Sequence, residues 1–302
     1  MESQTGITIG LIGEEALVAC LVAHLSPLPS VVAGPGDDCA VIDDGSGTWK
    51  LLKTDTLVEG VHFLPGTDPA LVGRKALNRV LSDIAAMGGT PGHALVSLAI
   101  APDRPLDEVE GWYRGIDEAA AAAGTAVVGG ETSRLPFPGA VITVSMTGSV
   151  APDQCILRSG ARPGDLVAVT GRLGGSFASG RHLTFAPRLR EATWLATHAK
   201  PTAMMDLSDG LGSDLPRLAA ASGAGYRVER DTLPCHVGVS PDAALRDGED
   251  YELLLTLKPE VCPAILSEWA EAFPDTPLTL VGEITETTDH LLPRGWEHYR
   301  EP

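Results

Sequence analysis

The stretch ARPGDLVAVTG, residues 161–171, decides how this chain divides into folding units. It joins a turn-forming Pro-Gly-Asp to a short apolar strand, after a first half in which strand and helix patterns already alternate. A Gly-rich loop, GRLGGS (171–176), follows, and alternating helical and strand patterns then resume. We therefore expect an α/β (α+β) protein of two domains, residues 1–150 and 151–302, with the boundary near residues 151–160.

The first half carries the clearest patterns of secondary structure. Strands are predicted at residues 39–43 and 49–56, and a helix over 71–89 that Gly88-Gly89 ends. The apolar run HALVSLAI (93–100) predicts a strand covered on both faces. A further helix follows Asp103, with a predicted inward stripe of Leu106, Val109, Tyr113, Ile116 and Ala120.

The composition disfavours several classes of partner. Among 302 residues, 40 Asp and Glu outnumber 22 Lys and Arg, giving a formal net charge of −18 that disfavours binding to nucleic acid and anionic membranes. No apolar run approaches the roughly 18 residues of a membrane span, and MESQTGITIG lacks the pattern of a signal peptide. The five cysteines are scattered without a CxxC pair, which predicts reduced thiols and a cytoplasmic protein.

Acidic clusters at predicted strand ends and turns carry the candidate chemistry. They are GPGDDC (34–39), KTDT (53–56), GGET (129–132) and DLSDG (206–210), with Asp83 on the flank of its helix. Carboxylates, hydroxyls and carbonyls are hard ligands suited to Mg²⁺ or Ca²⁺. One such cluster alone is more often a turn or a helix cap. If the clusters converge, their repulsion requires several divalent cations.

Other kinds of active site find less support in the sequence. Walker A and GxSxG patterns are missing, and GRLGGS has the wrong spacing for a dinucleotide fingerprint. The neighbouring carboxylates make Cys39 a poor nucleophile, and adjacency of Cys235 and His236 does not make them face each other. His62 closely follows a candidate metal strand, and its alternatives of ligand contact and surface residue stay open.

The order of motifs resembles that of a known family. GPGDDCAV, KTDTLVEGVHF, ALNRVLSDIAAMGGTP, VVGGETSR, LRSGARPGD, MDLSDGL, GEDYELL and the tail GWEHY are similar to segments of thiamine-monophosphate kinases. These enzymes belong to the superfamily of aminoimidazole ribonucleotide synthetase. The resemblance implies a two-domain PurM-like fold, whose N-terminal mixed sheets pair across a homodimer, beside a smaller C-terminal α/β domain. It also implies transfer of the γ-phosphoryl group of ATP, aided by several Mg²⁺ ions, to thiamine monophosphate.

The same resemblance implies a set of site residues. It assigns Mg²⁺ binding to Asp38, Thr54, Asp55, Asp83, Glu131, Asp206 and Asp209. It assigns ATP contacts to Gly129, Gly130, Arg158 and Ser208, and thiamine contacts to His62, Glu249 and Trp296. Asp55, Asp209 and Arg158 are the expected catalytic residues. Because the acceptor is an ionised phosphate, no strong general base is required.

The stretch DLSDGLGSDL (206–215) then divides between chemistry and structure. A helix is predicted to begin at Ser213 or Asp214, with Leu215, Leu218 and Ala219 facing inward. Asp214 is expected to act as a favourable charge at the helix N-terminus, whereas the two upstream aspartates are expected to bind metal.

Two departures from the family pattern leave alternatives open. The usual STDT reads KTDT here, with Lys53 in first place, and the usual GGDT reads GGET, with the longer Glu131. These two departures leave open a change in the number of bound metal ions or in the reaction rate, but not in the class of reaction. The alternative functions are a synthetase-like ligase of the same superfamily and a nucleotide- and metal-binding protein without turnover.

Overall fold

The computed structural model describes residues 7–26, 28–288 and 290–299, which form two β-sheets with flanking helices. The helices are α1 (Ile9–Val22), α2 (Pro69–Ala86), α3 (Leu106–Ala122), α4 (Ser176–Ser179), α5 (Leu189–Trp194), α6 (Leu211–Ala221), α7 (Pro241–Arg246) and α8 (Cys262–Ala272). The strands are β1 (Val31–Ala33), β2 (Ala40–Ile42), β3 (Trp49–Val58), β4 (Thr90–Ile100), β5 (Ala126–Arg134), β6 (Ala140–Val150), β7 (Leu166–Thr170), β8 (Ala203–Asp206), β9 (Gly225–Val228), β10 (Leu253–Leu257) and β11 (Leu278–Thr285). No helix in the described ranges is long and apolar enough to cross a bilayer.

The first sheet is mixed and has the order β1-β2-β3-β6-β4-β5. Only its β4–β5 pair is parallel among the described pairings. Alternate residues of the central strands, such as Val96 and Val144, pack against α2 and α3. The prediction that both faces of residues 93–100 are covered is wrong for the single chain. The side chains that alternate with the buried ones lie on an open face of the sheet, where Leu95 is 49% exposed.

Glycines set the close packing of α2 against α3. A Cβ at Gly73 would lie 1.9 Å from the Trp112 carbonyl oxygen, and one at Gly115 would lie 1.9 Å from that of Ala70. Backbones approach this closely only where a side chain is missing. The predicted stripe of α3 is therefore partly wrong: Ile116 is buried as expected, but Trp112 rather than Leu106 or Tyr113 faces the core.

The second sheet is antiparallel throughout, with the order β8-β10-β7-β11-β9. One of its faces packs against α6 and α7, and the other packs against α5 and α8. The last turn of α2 joins this second core through Ala85 and Ala86. Helix α2 thus contacts both sheets, and side chains near its C-terminal end lie where the two sheets meet.

Candidate active site

Three buried carboxylates converge where α2 meets the second sheet. Asp38 precedes β2, Asp83 lies in the last turn of α2, and Asp206 ends β8. Each offers an oxygen within 4.8 Å of the other two, which makes them the candidate metal cluster of the described residues. Burial and then the charge of Asp38 raise the pKa of Asp206 to about 6. Burial likewise raises the pKa of Asp83 well above its usual range, so the cluster favours positive ions.

Each of these carboxylates has one oxygen held by a donor of the chain itself. The shortest donation to each is Arg158 Nη2 to Asp38 Oδ1 (2.5 Å), Lys53 Nζ to Asp83 Oδ1 (2.6 Å) and Ser82 Oγ to Asp206 Oδ2 (2.6 Å). The second oxygen of Asp38, Oδ2, is buried without a hydrogen-bond partner among the described residues. A buried, unpaired carboxylate oxygen is costly, and a hard divalent cation would satisfy it. We call Asp38, Asp83 and Asp206 the aspartate cluster.

The segment KTDT lies inside β3 rather than at its end, so its side chains alternate between the two faces of the sheet. Asp55 points toward α2, where its Oδ2 lies 2.9 Å from Arg79 Nε. Its charge is close enough to contribute to the raised pKa of Asp83. Thr54 points to the open face, where its hydroxyl lies 3.0 Å from that of Ser145. The structure therefore does not bring the Thr54 side chain to the aspartate cluster.

Asp209 has a different setting from Asp206. Arg217 Nη1 lies 2.5 Å from Asp209 Oδ2, and the Asp209 amide donates to Asp214 Oδ2 at 3.0 Å. Helix α6 begins at Leu211, earlier than predicted, so Asp214 lies in its first turn as a fully buried carboxylate. The inward positions of Leu215, Leu218 and Ala219 are confirmed.

The GGET residues lie on β5, at the outer edge of the first sheet. Gly129, Gly130 and Glu131 pair with β4, and β6 separates β4 from β3. At about 4.8 Å between neighbouring strands, β5 lies on the order of 14 Å from β3. Within one chain these residues are therefore not brought together with the aspartate cluster.

A cavity of about 830 Å³ opens beside the cluster. The three residues expected to contact thiamine, His62, Glu249 and Trp296, all line it, and so do Ser208 and Asp209. The segment after β8 thus runs from the aspartate cluster at Asp206 into the wall of this cavity. We call this space the substrate cavity.

Backbone contacts with the C-terminal tail place Trp296 in the wall. The Trp296 amide donates to the Asp209 carbonyl oxygen at 2.9 Å, and the Gly295 amide donates to Ser213 Oγ at 2.9 Å. A Cβ at Gly295 would lie 1.9 Å from the Asp209 carbonyl oxygen. The tail therefore docks closely on the DLSDG segment because residue 295 has no side chain.

His62 is a neutral imidazole in this setting. Its Nδ1 accepts a hydrogen bond from the Val58 amide at 3.0 Å, which assigns the ring proton to Nε2. Burial, followed by the nearby charge of Arg79, lowers the pKa of His62 to about 4. The ring offers a hydrogen-bond donor rather than a positive charge at neutral pH.

Glu249 is held by a fully buried lysine. Lys75 Nζ donates to Glu249 Oε1 and Oε2 at 2.7 and 2.6 Å, and His182 Nδ1 lies 3.0 Å from Oε2. Although burial alone raises the pKa of Glu249, the hydrogen bond with His182 and the charge of Lys75 outweigh it and lower the pKa to about 2. The backbone of Glu249 has a φ of +63°, a left-handed conformation that non-glycine residues adopt rarely.

Three further residues contribute to this region, and no sequence motif singled them out. Arg79 lines the substrate cavity and pairs with Asp55, so one guanidinium connects the cavity to the acidic residues. Phe177 is an exposed aromatic residue of the cavity wall, and Lys75 fixes Glu249. Lys75 lies within a predicted helix, and Phe177 directly follows the Gly-rich loop. An unusual charged residue inside the apolar helix, as at Lys75, was the available signal.

Two backbone amides of the Gly-rich loop GRLGGS form hydrogen bonds within the protein. The Gly174 amide donates to Asp250 Oδ2 at 2.8 Å, and the Gly175 amide donates to Asp247 Oδ2 at 2.7 Å. Because carboxylates already occupy these two donors, they do not form a phosphate cradle.

Both halves of the chain match one protein family. Residues 36–150 match the family "AIR synthase related protein, N-terminal domain", and residues 162–291 match its C-terminal domain. The chain belongs to this class of two-domain proteins.

Full-length relatives narrow the family further. The chain is 35% identical to the thiamine-monophosphate kinase of Rhodopirellula baltica, over 94% of this chain and 97% of the relative. It is also 35% identical to that of Salmonella typhimurium, over 96% and 99%. A solved structure described as "AaThiL complexed with AMPPCP and TMP" superimposes with a TM-score of 0.83 at 30% identity, covering 98% of this chain and all of the other. The chain is a member of the thiamine-monophosphate kinase family.

Proposed function

We propose that this protein transfers the γ-phosphoryl group of ATP to the phosphate of thiamine monophosphate, giving thiamine diphosphate and ADP. The observation that carries the proposal is the adjacency of the aspartate cluster and the substrate cavity, which the segment from Asp206 to Asp209 joins. The proposal is also supported by relatives that are named thiamine-monophosphate kinase. A related structure holds AMPPCP, an analogue of ATP, together with TMP.

Mg²⁺ is the proposed metal, in more than one copy. Asp38 and Asp206 would hold it, with Asp83 and Asp55 close by, because they offer hard oxygen atoms and Asp38 Oδ2 is buried without a partner among the described residues. When bound, Mg²⁺ neutralises charge on the phosphate oxygens during phosphoryl transfer. Arg158, already directed at Asp38, is proposed to contact phosphate oxygens through the remaining donors of its guanidinium.

The reaction itself needs little from a general base. An oxygen of the acceptor phosphate forms a bond to the γ-phosphorus as the bond to the β,γ-bridging oxygen of ATP breaks, and the electron pair leaves with ADP. The acceptor phosphate is ionised at neutral pH, so no proton has to be removed from it. A neutral His62 with a pKa of about 4 is compatible with a binding role rather than a proton-transfer role.

The thiamine moiety is proposed to occupy the substrate cavity. Trp296 and Phe177 offer partly exposed aromatic faces for an aminopyrimidine or thiazolium ring. Because Lys75 already neutralises Glu249, we propose that this carboxylate contributes a hydrogen bond rather than a net negative charge. Arg79 is proposed to orient the acceptor phosphate, since it connects the cavity with Asp55.

A homodimer is proposed to complete the site. The open face of the first sheet carries Leu52 and Leu95, and the neighbouring Val128 is also exposed, an apolar surface suited to a second copy. Pairing of these sheets would give Gly129, Gly130 and Glu131 of one copy a way to approach the nucleotide of the other. Sedimentation of Leu95→Lys tests this: a dimeric parent and a monomeric variant are expected, whereas a monomeric parent contradicts the proposal.

One assay tests the proposed reaction. Purified protein is given ATP, MgCl₂ and thiamine monophosphate, and the products are separated by chromatography. We expect thiamine diphosphate and ADP in equal amounts, with no turnover after chelation of the metal. ATP binding without turnover would support the non-catalytic alternative, and turnover only with a ribonucleotide amidine would support the ligase.

A cytoplasmic location is also proposed. The use of ATP and the free cysteines of the described chain both fit this location.

A further inference from the structure

Lys53 brings a fixed positive charge to the edge of the aspartate cluster. Its position on β3 faces α2, and its Nζ lies 2.6 Å from Asp83 Oδ1. At this distance the ammonium group forms an ion pair with the Asp83 carboxylate, and it occupies the side of Asp83 Oδ1 from which a metal ion would otherwise bind.

Cations of the chain offset part of the negative charge of the aspartate cluster and of the neighbouring Asp55. Arg158 pairs with Asp38, Arg79 pairs with Asp55, and Lys53 pairs with Asp83. The donor to Asp206 is the neutral hydroxyl of Ser82. Three cations thus offset three of these four carboxylates, and the adjacent Asp37 adds a fifth, which accepts hydrogen bonds from the Arg158 amide. Of these three, Lys53 carries a compact ammonium, whose charge is concentrated as that of a small metal ion is.

We propose that Lys53 is a built-in cation of the metal site, which takes the place of a divalent ion beside Asp83. The nucleotide-free protein then binds fewer divalent ions, or binds them more weakly, than the same carboxylates would without the lysine. The inference rests on the proposed metal site, but it concerns the number and affinity of ions rather than turnover. Its consequence is that part of the positive charge needed beside the nucleotide stays in place when the metal-bound nucleotide leaves.

Replacing the lysine by neutral residues tests the inference. Lys53→Gln keeps a donor for Asp83, and Lys53→Ser provides a short hydroxyl. Binding of Mn²⁺ to the nucleotide-free protein is counted by electron paramagnetic resonance, and Mg²⁺ affinity is measured by titration calorimetry. We expect one additional ion per chain, or binding roughly tenfold tighter or more, because a repulsive charge a few ångströms from the ion is removed.

Two controls separate charge from other effects. Lys53→Arg keeps the positive charge and is expected to leave the number of ions unchanged. Lys50→Gln removes a charge from the same strand, but residue 50 lies on the opposite face, and no change in ion binding is expected. Equal gains in Lys50→Gln and Lys53→Gln would mean that net charge alone governs the affinity, and would overturn the inference.

The inference also fails if Lys53→Gln and Lys53→Ser bind as many ions as the parent with the same affinity, since Lys53 is then only a structural ion pair. If neither folds, Lys53→Gln/Asp83→Asn removes both charges of the pair and keeps the net charge. It is expected to bind as many ions as the parent, because Asp83 is already occupied by the lysine. Loss of an ion in this variant would make Asp83 a ligand despite Lys53 and would overturn the proposal.

The outcome is independent of the enzyme assay. If the parent converts thiamine monophosphate but Lys53→Gln gains no ion, the proposed function stands and this inference fails. If the parent shows no turnover but Lys53→Gln gains an ion, the proposed function fails and this inference stands.

Discussion

The aspartate cluster and the substrate cavity lie side by side, yet their residues are held in different ways. The cluster gathers carboxylates from three separate segments, and one oxygen of each bonds a donor of the chain. The cavity depends on a buried lysine, on a glutamate with positive φ, and on a tail docked through backbone groups. The cluster is thus a site of accumulated charge, whereas the cavity is a site of shape and position. Mutations should separate the two.

The largest effect is expected from Asp206→Asn. It removes a proposed metal ligand whose charge is already disfavoured by burial, so turnover should fall by on the order of a thousandfold or more. The metal-free protein should be as stable as the parent or more stable, because a repulsive buried charge is removed. Product chromatography and thermal unfolding measure the two. Loss of stability together with activity would instead assign Asp206 a structural role.

Lys75→Met should act on stability. Removing the buried ammonium leaves Glu249 without its main partner, which typically costs about 3–5 kcal/mol in the free energy of unfolding. Urea denaturation measures the loss. The double variant Lys75→Met/Glu249→Gln is the control, and it should recover most of the stability. If it does not, the pair is not the cause of the loss.

The free energy of unfolding should also depend on pH through Glu249. Its folded pKa of about 2 is below the ordinary glutamate value of 4.5, so its contribution is present above about pH 4.5 and is lost as the pH falls toward 2. The shift corresponds to at most about 3 kcal/mol. Denaturation of the parent and of Glu249→Gln between pH 2 and pH 6 measures it. The stability difference between them should shrink at low pH, and a constant difference would contradict the assignment.

The smallest effect is expected at the tail. Gly295→Ala places a methyl group against the Asp209 carbonyl oxygen and should displace Trp296 from the cavity. We expect the KM for thiamine monophosphate to rise about tenfold, or about 1.4 kcal/mol, while the KM for ATP stays nearly constant. Trp296→Ala should have a similar effect, and the double variant should add little. Full additivity would mean that the glycine does not act through the tryptophan.

Much of the fold was predictable where local patterns are strong. The strands near 39–43 and 49–56 and the helix within 71–89 are confirmed, because apolar periodicity and glycine stops reflect local geometry. The inward stripe of α3 was partly wrong, since Trp112 is buried while Leu106 and Tyr113 are exposed, and Gly115 lets α3 approach α2 closely. Sequence periodicity counts apolar bulk, and it does not register a contact made possible by the lack of a side chain.

The site shows the same division. Asp38, Asp83 and Asp206 were expected as ligands, and the structure brings them together, although metal binding itself stays a prediction. Thr54 and Glu131 lie away from the cluster in the single chain, because strand alternation and strand order decide where a side chain points. Neither property can be read from a short motif.

The acidic motifs indicated hard cations as ligands, because the type and spacing of side chains are local properties of the chain, and the order of the motifs supplied the resemblance to a family of kinases. The charge that each residue meets could be assigned only from the folded chain. Lys75 and Glu249 are 174 positions apart, and Lys53 and Asp83 are 30 apart. Electrostatic energy depends on distance in space and on burial, and both arise only when α2 packs on the first sheet with its last turn against the core of the second.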